Sequence, residues 1–564
     1  MHRLNPYLEK KPDFARLASR FPDFAPFVTV SEEGYASIDF QNAAALRALT
    51  RCLLKEDWNL DVDLREDRLC PTLPNRLDYL LHVLDMEPHL PSTSSSTPLR
   101  VLDIGTGASA IYPILLHRLR PEAHITATEL DQVSYDHARC VLTSNTIPSS
   151  SVAIRKSPVA EPIFFPLLEL AHGQDSKERG ETHQWDLTIC NPPFFGSEEE
   201  MQEGQDLKEQ VAHAAPTAAH NELITPGGEV AFVSMMIEES IQLGDRCRWY
   251  TSLIGKYTSL HPLVELLRKH KIDNYMLRNI RQAKTTRWIL GWSHHPSRLP
   301  DNLARPDDVI PNTSFAKLLP PSNTLNHRPQ PAVPLDDLRR TVLAVLAGIS
   351  LLSEPADRSA PVSPHPAERD EGGGVEDDIM LAPTKNTWSR AARRQAARRT
   401  DSDHAVEPSE GGGTSILHSS ATEPHTDSSA AARIPPVPNN NTPLFRAKVR
   451  FVPPKREDEV GEGASIAIDW LEGRDRAVVE ALWKFLLTKG GLISSRADVV
   501  GDGGYGGRLG AGFDNFKGRG RNEIARGVKG GRTKGGKRQR GYDHDQGDEE
   551  ELPGARTGQK RRLG

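Results

Sequence analysis

Along the first half of the chain, short apolar runs alternate with stretches whose apolar positions recur three and four residues apart. The short runs, bounded by turn residues, predict strands over Leu99–Ile104, His124–Glu129, Val152–Arg155, Trp185–Cys190, Glu229–Val233, Arg248–Ile254, Tyr275–Ile280 and Arg287–Trp292. The longer periodic stretches predict helices, among them Ser109–Leu119, Asp131–Ser144 and His261–His270. Two further helical patterns precede them. Ala43–Asp57 sets Leu46, Leu49, Leu53 and Leu54 on one face, and Arg76–Met86 follows the breakers Pro71 and Pro74. Strand–helix alternation implies a doubly wound α/β sheet. The last two strands have no long helix between them, which predicts an antiparallel hairpin at one sheet edge.

The pattern changes after residue 296. Residues 297–333 are proline-rich and predicted irregular, and Leu335–Leu352 reads as an amphipathic helix. Residues 354–440 are of low complexity with Trp388 as their only aromatic, which predicts a disordered linker carrying a basic segment at 388–399. Order returns over 441–492, with strands at Phe445–Val452 and Ser465–Leu471 and a helix at Asp475–Lys489. So short a piece has too little surface to bury alone, so the 335–352 helix is its expected partner in a small α+β module split by the insert. Residues 493–564 form a glycine-rich tail, predicted disordered.

Composition agrees with folded parts separated by polar ones: 37% of the chain is hydrophobic, 6% aromatic, and Gly and Pro number 43 each. A net charge of −6 excludes a uniformly basic nucleic-acid coat. The five cysteines, Cys52, Cys70, Cys140, Cys190 and Cys247, include no C-x-x-C pair, which argues against a zinc module or a disulfide framework. No metal is expected. The first residues carry no apolar signal region, and no stretch approaches the roughly 18 apolar residues that span a bilayer. A soluble intracellular protein without membrane attachment is the expectation.

Chemistry first appears at Val101-Leu102-Asp103-Ile104-Gly105-Thr106-Gly107-Ala108-Ser109, an apolar strand running into a glycine turn and then a helix. Glycine lets backbone approach a ligand without a Cβ in the way, and a helix N-terminus offers free N–H groups. The spacing to Ala110 also satisfies a relaxed dinucleotide fingerprint. Glu129 ends the next strand, where a carboxylate can accept both hydroxyls of a ribose. These features fit a nucleoside cofactor and leave NAD and S-adenosyl-L-methionine both open.

The fourth strand decides between them. It runs into Asn191-Pro192-Pro193-Phe194-Phe195, at a strand end where open α/β sheets place ligands. Two prolines fix the backbone and remove two N–H donors, which frees a carbonyl of Asn191 or Pro192 to face a ligand. With the Asn191 side-chain carbonyl, two acceptors can grip an amino group while Phe194 stacks on a planar base. Acceptors on both amine hydrogens favour a pyramidal nitrogen whose lone pair points at a methyl sulfonium. Positioning then supplies much of the rate. The combination points to methylation of an amine from S-adenosyl-L-methionine and away from NAD chemistry.

Several stretches together resemble the methyltransferase-like protein 16 family of U6 small nuclear RNA N6-adenosine methyltransferases, related to a bacterial enzyme acting on 23S ribosomal RNA. They are Lys11-Pro12-Asp13-Phe14, Pro71–Tyr79, Leu102–Ser109 followed by Ile111-Tyr112-Pro113, Cys190–Phe195, Arg248-Trp249-Tyr250 and Thr286-Arg287-Trp288. The resemblance covers about residues 1–295. It implies a class I, Rossmann-like methyltransferase fold over 1–296 with an N-terminal helical extension that binds RNA. It also implies a cofactor pocket built from Arg76, Asp103, Gly105, Gly107, Ser109, Glu129 and Asn191, with Arg76 as the cation for a carboxylate. Asn191, Pro192, Pro193 and Phe194 would hold a flipped adenine. Candidate phosphate contacts are Lys10, Lys11, Arg155, Lys156, Lys256, Lys284 and Arg287. The pieces 335–352 and 444–490, through Trp470–Arg476, resemble the family's accessory RNA-binding module. One departure is the stretch Ser197–His213, with six acidic residues and one lysine, which suits a gate better than a phosphate grip.

Two further segments carry charge for RNA. Residues 501–540 hold eleven Lys/Arg against three Asp/Glu, interleaved with fourteen glycines and with Tyr505, Phe513 and Phe516. Flexible cationic chains with aromatics bind RNA through phosphates and stacking, and they also serve nuclear import. The expected partner is a structured small nuclear RNA with an unpaired adenosine, in the nucleus or shared with the cytoplasm. Guanine N2, a protein glutamine amide as acceptor, and a non-catalytic RNA-binding protein are the competing readings.

Overall fold

Seven strands form the central sheet of the computed structural model, which describes residues 1–90, 97–172, 185–201, 224–282, 285–306, 309–349, 351, 378–394, 442–454 and 463–493. Lys284, residues 395–399 of the basic segment and the glycine-rich tail lie outside the described residues. The sheet comprises β3 (Arg100–Ile104), β4 (His124–Glu129), β5 (Val152–Lys156), β6 (Trp185–Cys190), β7 (Cys247–Ile254), β8 (Tyr275–Gln282) and β9 (Thr285–Trp292), in the order β5-β4-β3-β6-β7-β9-β8. The first five run parallel, and β9 is antiparallel to both β7 and β8, as the missing helix between them predicts. Every residue of β6 and β7 is buried, the mark of strands covered on both faces.

One face is covered by α2 (Ala43–Trp58), α3 (Leu73–Leu84), α4 (Ile111–Leu119) and α5 (Gln132–Ser144), whose apolar residues share one core. α1 (Phe14–Arg20) and the hairpin of β1 (Val28–Val30) and β2 (Ala36–Ile38) extend that side. The other face is covered by α6 (Phe165–His172), α7 (Gly228–Leu243) and α8 (Tyr257–Lys269). Caps set the helix starts: Asn42 accepts from two backbone N–H groups of α2, and Pro74 sits in the first turn of α3.

The predicted strand Glu229–Val233 is instead the start of the 16-residue helix α7. Gly227 and Gly228 both take positive φ, breaking the chain just ahead of it. The apolar run then continues with helical spacing through the buried Val233, Met236, Ile237, Ser240 and Leu243.

The C-terminal pieces build a second sheet of β10 (Thr324–His327), β11 (Ile379–Leu381), β12 (Phe445–Val452) and β13 (Ser465–Gly473), antiparallel in the order β10-β13-β12-β11. α10 (Leu335–Ala347) and α11 (Arg476–Lys489) close its core. One short helix, α9 (Asp301–Ala304), lies between β9 and β10. Two expectations need correction. The proline-rich 297–333 supplies α9 and the edge strand β10. Within the span expected to be disordered, β11 pairs with β12 and Trp388 is buried. Its ring packs edge-on against Phe445 at 5.9 Å, and its indole N–H donates to the Val478 carbonyl at 3.1 Å.

This module is fastened to the residues that precede β7 and β8 and follow β9. Arg298 lies 3.7 Å from the centre of the Trp470 ring, donates to the Gly473 carbonyl and pairs with Asp273 at 2.9 Å. Burial pulls this guanidinium down to about 10. Arg476 donates to Asp273 and Ser322, and Arg474 to Asp245 and His294.

Trp388→Ala should destabilise the module by about 3–5 kcal/mol, the usual cost of emptying so large a buried site. Hydrogen exchange of β11, β12 and α11 measures this. Unchanged protection there would mean that the ring contributes nothing to the fold.

Candidate active site

β3 delivers the chain to Gly105-Thr106-Gly107 with φ of +66° at Gly105 and +68° at Gly107. A Cβ on Gly105 would project into open space, so the turn presents bare backbone to a hollow. The turn is tied to the neighbouring strand: Thr106 N donates to Thr128 O at 2.9 Å, and Gly107 N to Glu129 Oε2 at 2.8 Å. The other oxygen of Glu129 accepts from Asp131 N at 2.8 Å. Asp131 caps α5 and pairs with Arg68 at 2.9 Å, so the Glu129 carboxylate is set between two fixed amides. Ser109 is buried just ahead of α4.

Asp103 is the electrostatic anomaly of this region. It is 1% exposed, and neither carboxylate oxygen has a hydrogen-bond partner among the described residues. Burial pushes its carboxyl up to about 7, against the opposing pull of the nearby Thr106 hydroxyl and with a small addition from the Glu129 charge. A buried acid so weakly compensated beside a glycine turn is a candidate partner for a cationic group.

β6 ends level with β3, since Cys190 pairs with Ile104, and this sets Asn191 beside Gly105. α3 grips that end twice. The Tyr79 hydroxyl accepts from Cys190 N at 3.3 Å and bonds Thr251 Oγ1 at 2.8 Å. One turn earlier, Arg76 Nη1 donates to Asn191 Oδ1 at 3.2 Å and to the Tyr112 hydroxyl at 3.3 Å.

Phe194 follows, against the backbone of Gly255, where a Cβ would come within 2.5 Å of the ring. That turn is held by Glu229, which is 2% exposed and accepts from Gly255 N at 2.7 Å, Lys256 N at 2.9 Å and Ser259 Oγ at 2.6 Å. Arg287 donates to Gly255 O at 3.3 Å and lies 5.9 Å from the Phe194 ring centre. Gly228 passes within 3.2 Å of Gly196 N, counted from an ideal Cβ position, so only glycine lets α7 abut the Pro192–Gly196 loop without a shift.

The structure thus brings Arg76, Asp103, Gly105, Gly107, Ser109, Glu129 and Asn191–Phe194 to the C-terminal ends of the neighbouring strands β3, β4 and β6. The proposed phosphate contacts scatter. Lys256 sits over Phe195 and pairs with Glu200, in the part of the acidic stretch that is described, residues 197–201; residues 202–213 lie outside it. Lys156 Nζ donates to two backbone carbonyls, and Arg155 lies over Phe165. Lys10 pairs with Asp57 at 3.5 Å, and Lys11 is exposed. Arg287 is engaged inside the site. Sequence reasoning passed over Tyr79 and Glu229. Tyr79 stands one helical turn after Arg76, and Glu229 follows the Gly227-Gly228 break, which are the signals that mark them.

Among curated proteins, the human RNA N(6)-adenosine-methyltransferase METTL16 is 37% identical over 297 residues, which cover 52% of this chain and 50% of that protein. The U6 small nuclear RNA (adenine-(43)-N(6))-methyltransferase of Schizosaccharomyces pombe is 30% identical over 365 residues, covering 64% of this chain and 83% of that one. The chain spans about half the length of the vertebrate relative. Among solved structures, the N-terminal domain of human METTL16 in complex with SAH is 35% identical, covers 52% of this chain and 99% of that chain, and has a TM-score of 0.42. A family model described as RNA methyltransferase matches residues 1–296, the stretch that carries the glycine turn, the two-point grip of α3 and the Asn-Pro-Pro-Phe strand end. The chain belongs to this RNA methyltransferase family.

Proposed function

We propose that the protein transfers a methyl group from S-adenosyl-L-methionine to the N6 amine of an unpaired adenosine in structured RNA, with U6 small nuclear RNA as substrate. The observation that carries this is the side-chain oxygen of Asn191, held by Arg76 at the end of β6 beside the glycine turn. The names of the relatives, an RNA N(6)-adenosine-methyltransferase and a U6 small nuclear RNA methyltransferase, support the choice of base and RNA.

The residues present fit the cofactor. Unpaired Asp103 offers a counter-charge for an ammonium, the Gly105 hollow offers room, and Glu129 stands at the next strand end for a ribose diol. Arg76 has donors beyond the one spent on Asn191, which suits a carboxylate. When bound, the cofactor supplies an electrophilic methyl group. This chain's work is positioning. Asn191 Oδ1, with a backbone carbonyl of the Asn191–Pro192 stretch, accepts the amine hydrogens and orients the lone pair. Phe194, backed by Gly255 and Arg287, presents a flat wall for the base. The adenosine must leave its stack to arrive there.

The protein incubated with isotopically labelled S-adenosyl-L-methionine and hairpin RNA should yield label in N6-methyladenosine after nucleoside digestion. Label confined to guanosine or to protein would overturn the reading. Asn191→Ala should lower turnover by at least about a hundredfold while RNA affinity changes little, because an acceptor that positions the reacting atom is lost.

Asp103 gives a pH signature. The ionised carboxylate is the form that pairs with an ammonium, so S-adenosylhomocysteine should bind more weakly as pH falls below about 7, by about tenfold per unit. Its folded value lies above the usual carboxylate range. The stability it contributes is therefore present at pH 4 and lost as pH rises through 7. Asp103→Asn should raise the melting temperature at pH 8, leave it nearly unchanged at pH 4, and weaken S-adenosylhomocysteine. Calorimetry and thermal melts at the two pH values test this, and pH-independent binding would sink it.

A further inference from the structure

We infer that Arg76 is a positioning residue for Asn191: it determines which end of the carboxamide faces the substrate amine. The inference rests on the methyltransferase reading above and deepens it. The two ends of a carboxamide are nearly equal in size, but one only accepts hydrogen bonds and the other only donates them. An amine must meet the accepting end. Nothing in the shape of a pocket tells these ends apart, so a chemical discriminator is needed.

Arg76 supplies it. A guanidinium has donors only, so it pairs with Oδ1 and repels a flipped NH2. Its Nη1 stands 3.2 Å from Oδ1 and 3.3 Å from the Tyr112 hydroxyl. Tyr112 is 3% exposed, and its ring lies 5.8 Å from the guanidinium and edge-on to Tyr79 at 5.6 Å. The arginine is therefore braced by a buried ring that is itself braced by α3. The same helix fixes the backbone at Cys190 through Tyr79. One element holds both the strand end and the orientation of its side chain. A carbonyl oxygen has two lone pairs, so one remains for the substrate after Arg76 has taken the other.

The consequence is selectivity at the 6-position. A site that offers an acceptor rejects a base carrying a 6-oxo group in place of the amine, because two acceptors then face each other. The experiment compares two hairpin RNAs, one with adenosine and one with inosine at the methylated position, binding to the full-length protein without cofactor. Wild type should prefer adenosine by about tenfold, the discrimination of one satisfied hydrogen bond. Arg76→Met should bring the ratio to about one. Adding Asn191→Asp to Arg76→Met should restore the preference, since a carboxylate accepts at either end. An unchanged ratio in Arg76→Met, no preference in wild type, or no rescue by the second substitution would each overturn the inference. Failure of the underlying reading shows separately, as absence of N6-methyladenosine from wild-type protein and the adenosine RNA.

Discussion

The site hangs on the meeting of α3 with the end of β6. A strand that stops in two prolines has no ladder bonds to hold its last residues, so something outside the sheet must fix them. Tyr79 takes the Cys190 amide and Arg76 takes the Asn191 oxygen, one turn apart on the same rigid rod. Tyr79 is wholly buried and shares its hydroxyl with Thr251 on β7, which in turn bonds Thr188 on β6. A side chain used to orient a reacting atom must itself be immobile, and here the immobility is borrowed from the middle of the sheet.

Two buried carboxylates show opposite solutions to the cost of hiding charge. Glu229 is satisfied by two amides and a hydroxyl, so it works as a fixed strut under the Phe194 wall. Asp103 has only the Thr106 hydroxyl near it to offset burial, and its carboxyl stays well above the usual carboxylate range. Burying such a charge costs stability, and the fold keeps it all the same.

Much of the catalytic half was legible because its strands are buried on both faces and read as uninterrupted apolar runs. The glycine turn, Glu129 and Asn191–Phe194 stand out in the sequence because their pattern is local. What was missed is non-local. Glu229 reads as a strand residue in a five-residue window, and only the helical spacing sustained over the 16 residues of α7 exposes it. Trp388 stands alone in a polar stretch, and its partners Phe445 and Val478 are more than fifty residues away. Arg287 looks like a surface cation until β9 turns it over Phe194, where it serves the site's interior.

The docking of the second module has a geometric corollary. β7 ends at Ile254, one residue before the Gly255 that abuts Phe194, whereas the module is bonded through Arg474 to Asp245, just before the same strand begins. Reaction and attachment lie at opposite ends of an eight-residue strand, roughly 25 Å apart at about 3.3 Å per residue. The second module is thus bolted to the face of the domain remote from the glycine turn, so its docking and the geometry of the strand end can vary independently of each other.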